Sequence, residues 1–433
     1  MPISSGLNND RIRVGIILPE DGIRSISVSW DERLSISSNQ DLAADISEYQ
    51  LNTDGTHLRL TGGGFTRVVD QIELSTADAV EDLRPHYGLR IKPVIAGRGF
   101  HWEKHIKVDL PGIVQISVEN SYIKLINIVD VESYVACVAT SEMGSEAPTA
   151  LLAAQTVVAR CWALALAEAK HLDEGFDVCN DDCCQRYQGT SYLTDHALQA
   201  AIETKGVVLT YDNAVIDARY SKCCGGMAED YETVWEGGRV PYLIHFWDGP
   251  EQLPGIASDD FESLWKYEEA YCSSRRFESV DLAGMLGKVD VSGSYYRWQE
   301  NVPKSLILDN LKKYHKQSWK HITGLRIGER GASSRIRYIY LEGLDMQNQP
   351  VEQILISEYG VRQMFSRSFL YSSAFIVENM ATIEQDDHIS LRGVGWGHGV
   401  GLCQMGALGM SLTGIDYQSI LMHYYPNTKL QSI

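Results

Sequence analysis

From Thr149 to Lys170 the chain is rich in Ala and Leu and contains neither Gly nor Pro, and no other stretch constrains the fold as strongly. Ala and Leu are the best helix formers, whereas an interior Gly or Pro would cost about 1 or about 3 kcal/mol. Leu151, Leu152, Ala154, Val158, Cys161, Trp162, Ala165 and Leu166 supply the apolar positions. Pro148 fits the first turn, where its missing N–H would be unpaired anyway. One long helix is therefore expected over about 148–170. A shorter one is expected over Val131–Thr140, where apolar residues recur at helical spacing.

Before residue 130 the pattern changes to alternation. Ile12–Leu18 is an apolar strand, and Ile26–Trp30 and Val114–Val118 alternate with period two. Further short strands are expected over 66–95 and 101–110. After the long helix, residues 171–195 form a Cys-rich loop, and His196–Lys205 reads as a helix. Gly206–Thr210 and Ala214–Ala218 read as strands joined by a turn at Asp212-Asn213. Residues 250–320 look like an insertion with two amphipathic helices, Leu282–Leu286 and Lys304–Tyr314. Beta character resumes over Ile322–Gly343. The expected class is α+β: a β-rich protein with a helical catalytic region and inserted helices. A β-rich region over 1–95 would precede a catalytic domain over 96–433.

A net charge of -19 speaks against nucleic acid, whose binders carry a basic face. No run of 18 apolar residues predicts a transmembrane helix. Met1–Leu7 lacks a charged segment followed by an apolar core, so no secretory signal is read there. At 433 residues the chain needs no disulfide staples, and its nine cysteines are an odd number for a full set of bridges.

Three constellations carry chemistry. Glu142, in Ala139-Thr140-Ser141-Glu142-Met143, sits between two expected helices beside apolar neighbours. Partial desolvation there would favour the protonated form that donates a proton; the alternative is an ordinary solvated Glu. Cys179, Cys183 and Cys184 lie on a polar loop with His171 eight residues before the first. Three sulfurs and an imidazole make a tetrahedral zinc set, against the alternatives of reduced buried thiols or a disulfide. Cys223-Cys224 would be small buried hydrophobes or lie near the same site. The third constellation, Gly393–Gly401, alternates five glycines with other residues and presents Trp396 and His398. It lacks the lysine of a phosphate loop. Trp suits stacking on a sugar and His suits proton transfer, while a tight turn array with a core Trp is the plainer alternative.

Taken in order, several blocks resemble the SpoIID/LytB family of sporulation-associated lytic transglycosylases and amidase enhancers. They are Ile126–Val135, Ser141-Glu142-Met143, Ala153–Arg160, Cys184–Gly189, Tyr220–Gly226, Trp235 with Pro241-Tyr242-Leu243, Gly395–Ala407 and His423-Tyr424-Tyr425-Pro426. Cys183 stands where related sequences often carry His, and Cys224 where they usually carry Ser. The resemblance implies one structural zinc, held here by His171, Cys179, Cys183 and Cys184.

It further implies cleavage of the bond between N-acetylmuramic acid and N-acetylglucosamine in peptidoglycan glycan strands stripped of peptide. Glu142 would act as general acid and then as base, leaving a 1,6-anhydro end. Gln155, Arg160, Tyr187, Ser221, Trp396, His398 and Gln404 are candidates to line the glycan groove. The implied place is the cell envelope, periplasmic or extracellular. Two alternatives remain: a non-cutting glycan binder that enhances an N-acetylmuramoyl-L-alanine amidase, and a zinc- or thiol-dependent hydrolase in which Cys223 or Cys224 would meet His398.

Overall fold

The computed structural model describes residues 10–43, 46–100, 103–144, 146–165, 169–250, 260–278, 280–287 and 295–433. The Met1–Leu7 start and Leu166 of the expected helix lie outside these residues. The class is α+β, with helices and several sheets in both of two compact units. One unit comprises 1–217, 283–289 and 429–433; the other comprises 218–282 and 290–428.

The first unit is built on two six-stranded sheets. In one, Arg11–Ile17 pairs antiparallel with Tyr122–Asp130, which pairs with Ile113–Glu119 and, beyond it, Gln71–Ser75. The alternation has its usual cause: Ile123, Leu125 and Val129 are fully buried on one face. In the other sheet, Leu89–Ala96 pairs with Lys104–Leu110, so strands on either side of residue 95 are joined in one sheet.

Asp130 ends a strand and starts a helix. Its carboxylate accepts the N–H groups of Glu132 at 2.9 Å and Ser133 at 3.2 Å, capping Val131–Glu142. The second helix is described as Thr149–Ala165; Ala169, with a left-handed φ of 44°, and Lys170, in a turn, lie outside it although the expected span ran to 170. Both helices are apolar on nearly every side and are correspondingly buried. The expected hairpin is present: Val207–Tyr211 pairs with Ala214–Val215 through Asp212 and Asn213, both at positive φ. Lys429–Ser432 adds a third strand.

In the second unit, Trp319–Arg330, Ile336–Asp345 and Pro350–Ile356 form one antiparallel sheet. Another holds His388–Val394 between Arg297–Pro303 and Phe375–Val377. Ile307, Leu311, Ile339, Leu341, Phe375 and Ile389 share its core with no exposure. Residues 297–320, grouped in sequence with an insertion, thus give this unit a paired strand and a packed helix, Lys304–His315.

Candidate functional site

Glu142 is the last residue of the first long helix and is half-buried. Its Oε1 accepts the backbone N–H of Arg186 at 2.9 Å. The neighbouring Ser141 hydroxyl donates to Cys137 O at 2.8 Å and accepts Gln188 N–H at 3.2 Å. Two hydrogen bonds therefore lace the helix end to the 186–188 segment beside the carboxylate, and a third fixes the Ser141 hydroxyl within the helix. The chain after Glu142 is equally fixed: Gly144 N–H donates to Met285 O at 2.9 Å and Glu146 N–H to Gly284 O at 3.0 Å. A side chain at residue 144 would begin 1.9 Å from Gly284 O, so only Gly permits this approach.

Of the nearby carboxylates, Glu132 is already engaged. It accepts from Arg160 Nε at 2.9 Å and Nη2 at 2.5 Å, and from Gly206 N–H at 3.2 Å. Glu146 is exposed. Glu142 is partly buried and oriented by a backbone N–H, whereas Glu132 is committed to the Arg160 guanidinium.

The thiol loop is strapped to the sheet. Val178 and Cys179 pair parallel with Val14 and Gly15. Asp181 accepts the N–H groups of Gly97 at 3.0 Å and Arg98 at 2.7 Å, and Arg98 reaches Asp21 at 2.6 Å. The His171 ring stacks on Phe176 with centroids 4.8 Å apart. One ligand atom each from His171, Cys179, Cys183 and Cys184 lies within 4.8 Å of the others. His171 Nδ1 is 2.9 Å from Glu174 Oε1, which leaves Nε2 facing Cys183 Sγ at 3.4 Å. A carboxylate on the far ring nitrogen is the usual support of a metal-ligating His. Hydrogen bonds with Cys179 and Cys184 pull the Cys183 pKa below the ordinary thiol value, while those with Cys179 and Cys183 push that of Cys184 up. Crowded sulfurs resist ionising together, and a divalent cation would lift that constraint. The donor set fits zinc.

The other groove candidates are placed differently. Gln155 and Arg160 are fully buried on the second helix, and Tyr187 is buried with its hydroxyl donating to Asn127 Oδ1 at 2.7 Å. Tyr187 stacks on Tyr134 at 5.1 Å, so its ring face serves the core and is not offered to a sugar. Gln404 and Ser221 are also buried, in the second unit. There Tyr220-Ser221 pairs parallel with Leu402-Cys403.

Trp396 and His398 stand half-buried in that unit. Glycines 395, 397, 399 and 401 all take left-handed φ angles. At Gly399 a Cβ would meet the Arg335 guanidinium at 2.4 Å, and Arg335 Nε donates to Gly397 O at 3.1 Å. The frame is a cradle for this arginine. His398 Nδ1 accepts Val400 N–H at 3.1 Å, and its ring abuts Trp235 at 4.8 Å. Burial, then the charges of Arg219, Arg335 and Arg362, hold its pKa well below the usual histidine value. The sulfur of Cys224 instead lies 3.2 Å from Asp248 Oδ2. Among the described residues no hydrogen bond joins Cys223 or Cys224 to His398, and both thiols lie in a different unit from the 171–184 loop. Trp396 lines a cavity of about 370 Å³ with Trp265, Arg297, Trp298, Glu300 and Tyr371, of which residue patterns had singled out only Trp396.

A family model described as SpoIID, stage II sporulation protein, matches residues 119–211, the segment that holds both helices, Glu142 and the thiol loop. Over that segment the chain is similar to the SpoIID/LytB proteins. A domain of unknown function (DUF8618) matches residues 229–401, beyond the SpoIID segment. The chain is similar to the amidase enhancer of Bacillus subtilis (strain 168), 27% identical over 304 residues. That match covers 67% of this chain and only 39% of the enhancer. Stage II sporulation protein D of the same organism is 24% identical over 336 residues, 73% of this chain and 79% of that protein. An uncharacterised protein of Brachyspira hyodysenteriae (strain ATCC 49526 / WA1) is 24% identical over 385 residues, 87% of this chain and 88% of its own length. Among the described residues no helix is long and apolar enough to cross a membrane.

Proposed function

We propose that this protein works in the cell envelope as a peptidoglycan lytic transglycosylase that cuts between N-acetylmuramic acid and N-acetylglucosamine. One observation carries the reading: Glu142 is a half-buried carboxylate held by Arg186 N–H, while Glu132 is taken by Arg160. Glu142 first protonates the leaving glycosidic oxygen. As carboxylate it then removes the proton of the muramoyl 6-hydroxyl, whose oxygen attacks the anomeric carbon and closes a 1,6-anhydro ring. A single residue used in two successive charge states meets this need, whereas glycoside hydrolysis generally uses two carboxylates. Zinc on His171, Cys179, Cys183 and Cys184 would be a closed structural ion. It would stiffen the loop that leads to Arg186.

A second reading has its own support. The cavity lined by Trp265, Trp298, Tyr371 and Trp396 offers aromatic faces, with Arg297 and Glu300 as polar partners. Such walls suit a sugar. A chain that grips glycan there without cutting would serve as an enhancer of an N-acetylmuramoyl-L-alanine amidase.

The deciding experiment feeds peptide-stripped glycan strands to the purified protein and weighs the products by mass spectrometry. The transglycosylase should yield 1,6-anhydro ends, and Glu142→Gln should lower their rate of formation by about 10²–10⁴-fold, the usual range for a general acid–base. Intact strands that remain bound to the wild-type protein would select the enhancer instead.

A further inference from the structure

The second unit carries a set of metal-ligating groups that the transglycosylase reading does not use. Cys224 follows the short strand Tyr220-Ser221, Asp248 follows the bridged Trp247 on an irregular segment, Cys272 lies in a turn, and Cys403 directly precedes the helix Gln404–Leu412. One ligand atom from each lies within 4.8 Å of the other three, and all four residues are buried. Cys224 and Cys272 place their sulfurs 3.6 Å apart. Zinc–sulfur bonds of about 2.3 Å in a tetrahedron put neighbouring sulfurs about 3.8 Å apart. A disulfide would need about 2.05 Å, and all three cysteines are free thiols. An iron–sulfur cluster spreads its thiolates around several metal atoms and would want a wider cage.

The surroundings are arranged for anionic ligands. Cys403 Sγ accepts the backbone N–H groups of Cys224 at 3.2 Å and Gly406 at 3.3 Å, the latter from the first turn of its own helix. Asp248 divides its oxygens. Oδ1 accepts the Tyr424 hydroxyl at 2.9 Å and faces His423 Nε2 at 3.1 Å, while Oδ2 points to Cys224 Sγ at 3.2 Å. One carboxylate oxygen is thus held by the protein and the other is directed into the thiol set, as a monodentate metal ligand requires. Gly406 makes room, since a Cβ there would stand 2.3 Å from Asp248 Oδ2. A fully buried carboxylate among thiols is costly unless a cation joins them.

We propose that Cys224, Asp248, Cys272 and Cys403 bind one zinc ion in a closed structural site, separate from the His171 cluster. Three thiolates favour a soft or borderline metal over magnesium or calcium. Burial of all four ligands leaves no position open to substrate. The ion ties the segments at 224, 248 and 272 to the start of the Gln404–Leu412 helix, immediately after the glycine cradle.

Zinc content of the reduced full chain tests this. After zinc loading and removal of the excess, Cys272→Ala should hold one equivalent fewer than the wild type by elemental mass spectrometry. Asp248→Asn, nearly isosteric, should bind zinc at least about tenfold more weakly. Cys137→Ala removes a buried free thiol of the first unit, outside both clusters, and should keep the full content. Should Cys272→Ala fail to fold, cobalt(II) added to Cys179→Ala/Cys183→Ala/Cys184→Ala reads the site directly through a near-ultraviolet thiolate-to-cobalt band. Unchanged zinc in folded Cys272→Ala and Asp248→Asn, absence of that band, or a disulfide among Cys224, Cys272 and Cys403 would overturn the assignment.

Discussion

The two sulfur clusters use similar atoms in opposite settings. In the first unit the ligands come from a single loop, residues 171–184, and Cys183 is exposed. In the second unit they are gathered from residues 224, 248, 272 and 403 and are wholly buried. A loop cluster can assemble once fourteen or so consecutive residues bend, a modest entropic cost. The dispersed cluster exists only after the surrounding unit has packed, because Cys224 and Cys403 lie 179 residues apart. An ion in the first therefore reports on one loop, and an ion in the second on the folded state of a whole unit.

That contrast can be broken. With zinc in both clusters, a strong chelator should empty the loop site about a hundredfold faster, since the buried one must await a larger opening. A chromogenic chelator should show two phases, and a single phase would erase the distinction. Glycines offer a sharper cut. Gly406→Ala would drive a Cβ to 2.1 Å from the Tyr424 hydroxyl and should cost about 3 kcal/mol in denaturant unfolding. Gly175→Ala, beside the loop cluster, meets nothing nearer than Lys124 Nζ at 3.9 Å. It should cost only about 1 kcal/mol, from its left-handed backbone. Equal costs would mean that burial does not separate the clusters.

The smallest expected effect is a pH dependence confined to the second unit. His398 is held neutral, by burial first and by neighbouring arginines next, below its ordinary value of 6.5. The unfolded chain therefore takes up the proton first. Stability is whole above pH 6.5 and declines as pH falls. Urea unfolding should lose about 0.8 kcal/mol between pH 7.5 and pH 6 through this group, and His398→Gln should flatten the slope by that amount.

The contrast also explains what residue patterns could reveal. The loop cluster was legible because its four ligands are near neighbours in sequence. Cys272 and Asp248 carry no such signal: one is a lone cysteine, the other an ordinary aspartate in Trp247-Asp248-Gly249. The helices were legible from propensity, although Ala169 at the end of the expected second span takes a left-handed backbone instead of a helical one. Polar residues on buried helices were misread for a physical reason. Arg160 looks like a ligand for sugar, yet its partner is Glu132, twenty-eight residues earlier, and spacing alone cannot tell an internal ion pair from a groove. Tyr187 likewise meets Asn127 across sixty residues. Glu142 stood out through its place between two expected helices and the family-like blocks around it, but the N–H that orients it belongs to Arg186, on the far side of the next helix.

The strand Lys429–Ser432 closes the sheet edge of Val207–Tyr211, whose Val207 carbonyl accepts from buried Arg160. Thr210 bonds to Gln431 across 221 residues. On a ribosome adding about 5–20 residues per second, that strand arrives roughly ten to forty seconds after its partner. For that interval Val207–Tyr211 lacks its partner on that side, and an unpaired strand invites wrong pairing. The unit that is translated first is thus the last to be sealed, and a fragment ending before residue 429 would leave it permanently in its nascent state.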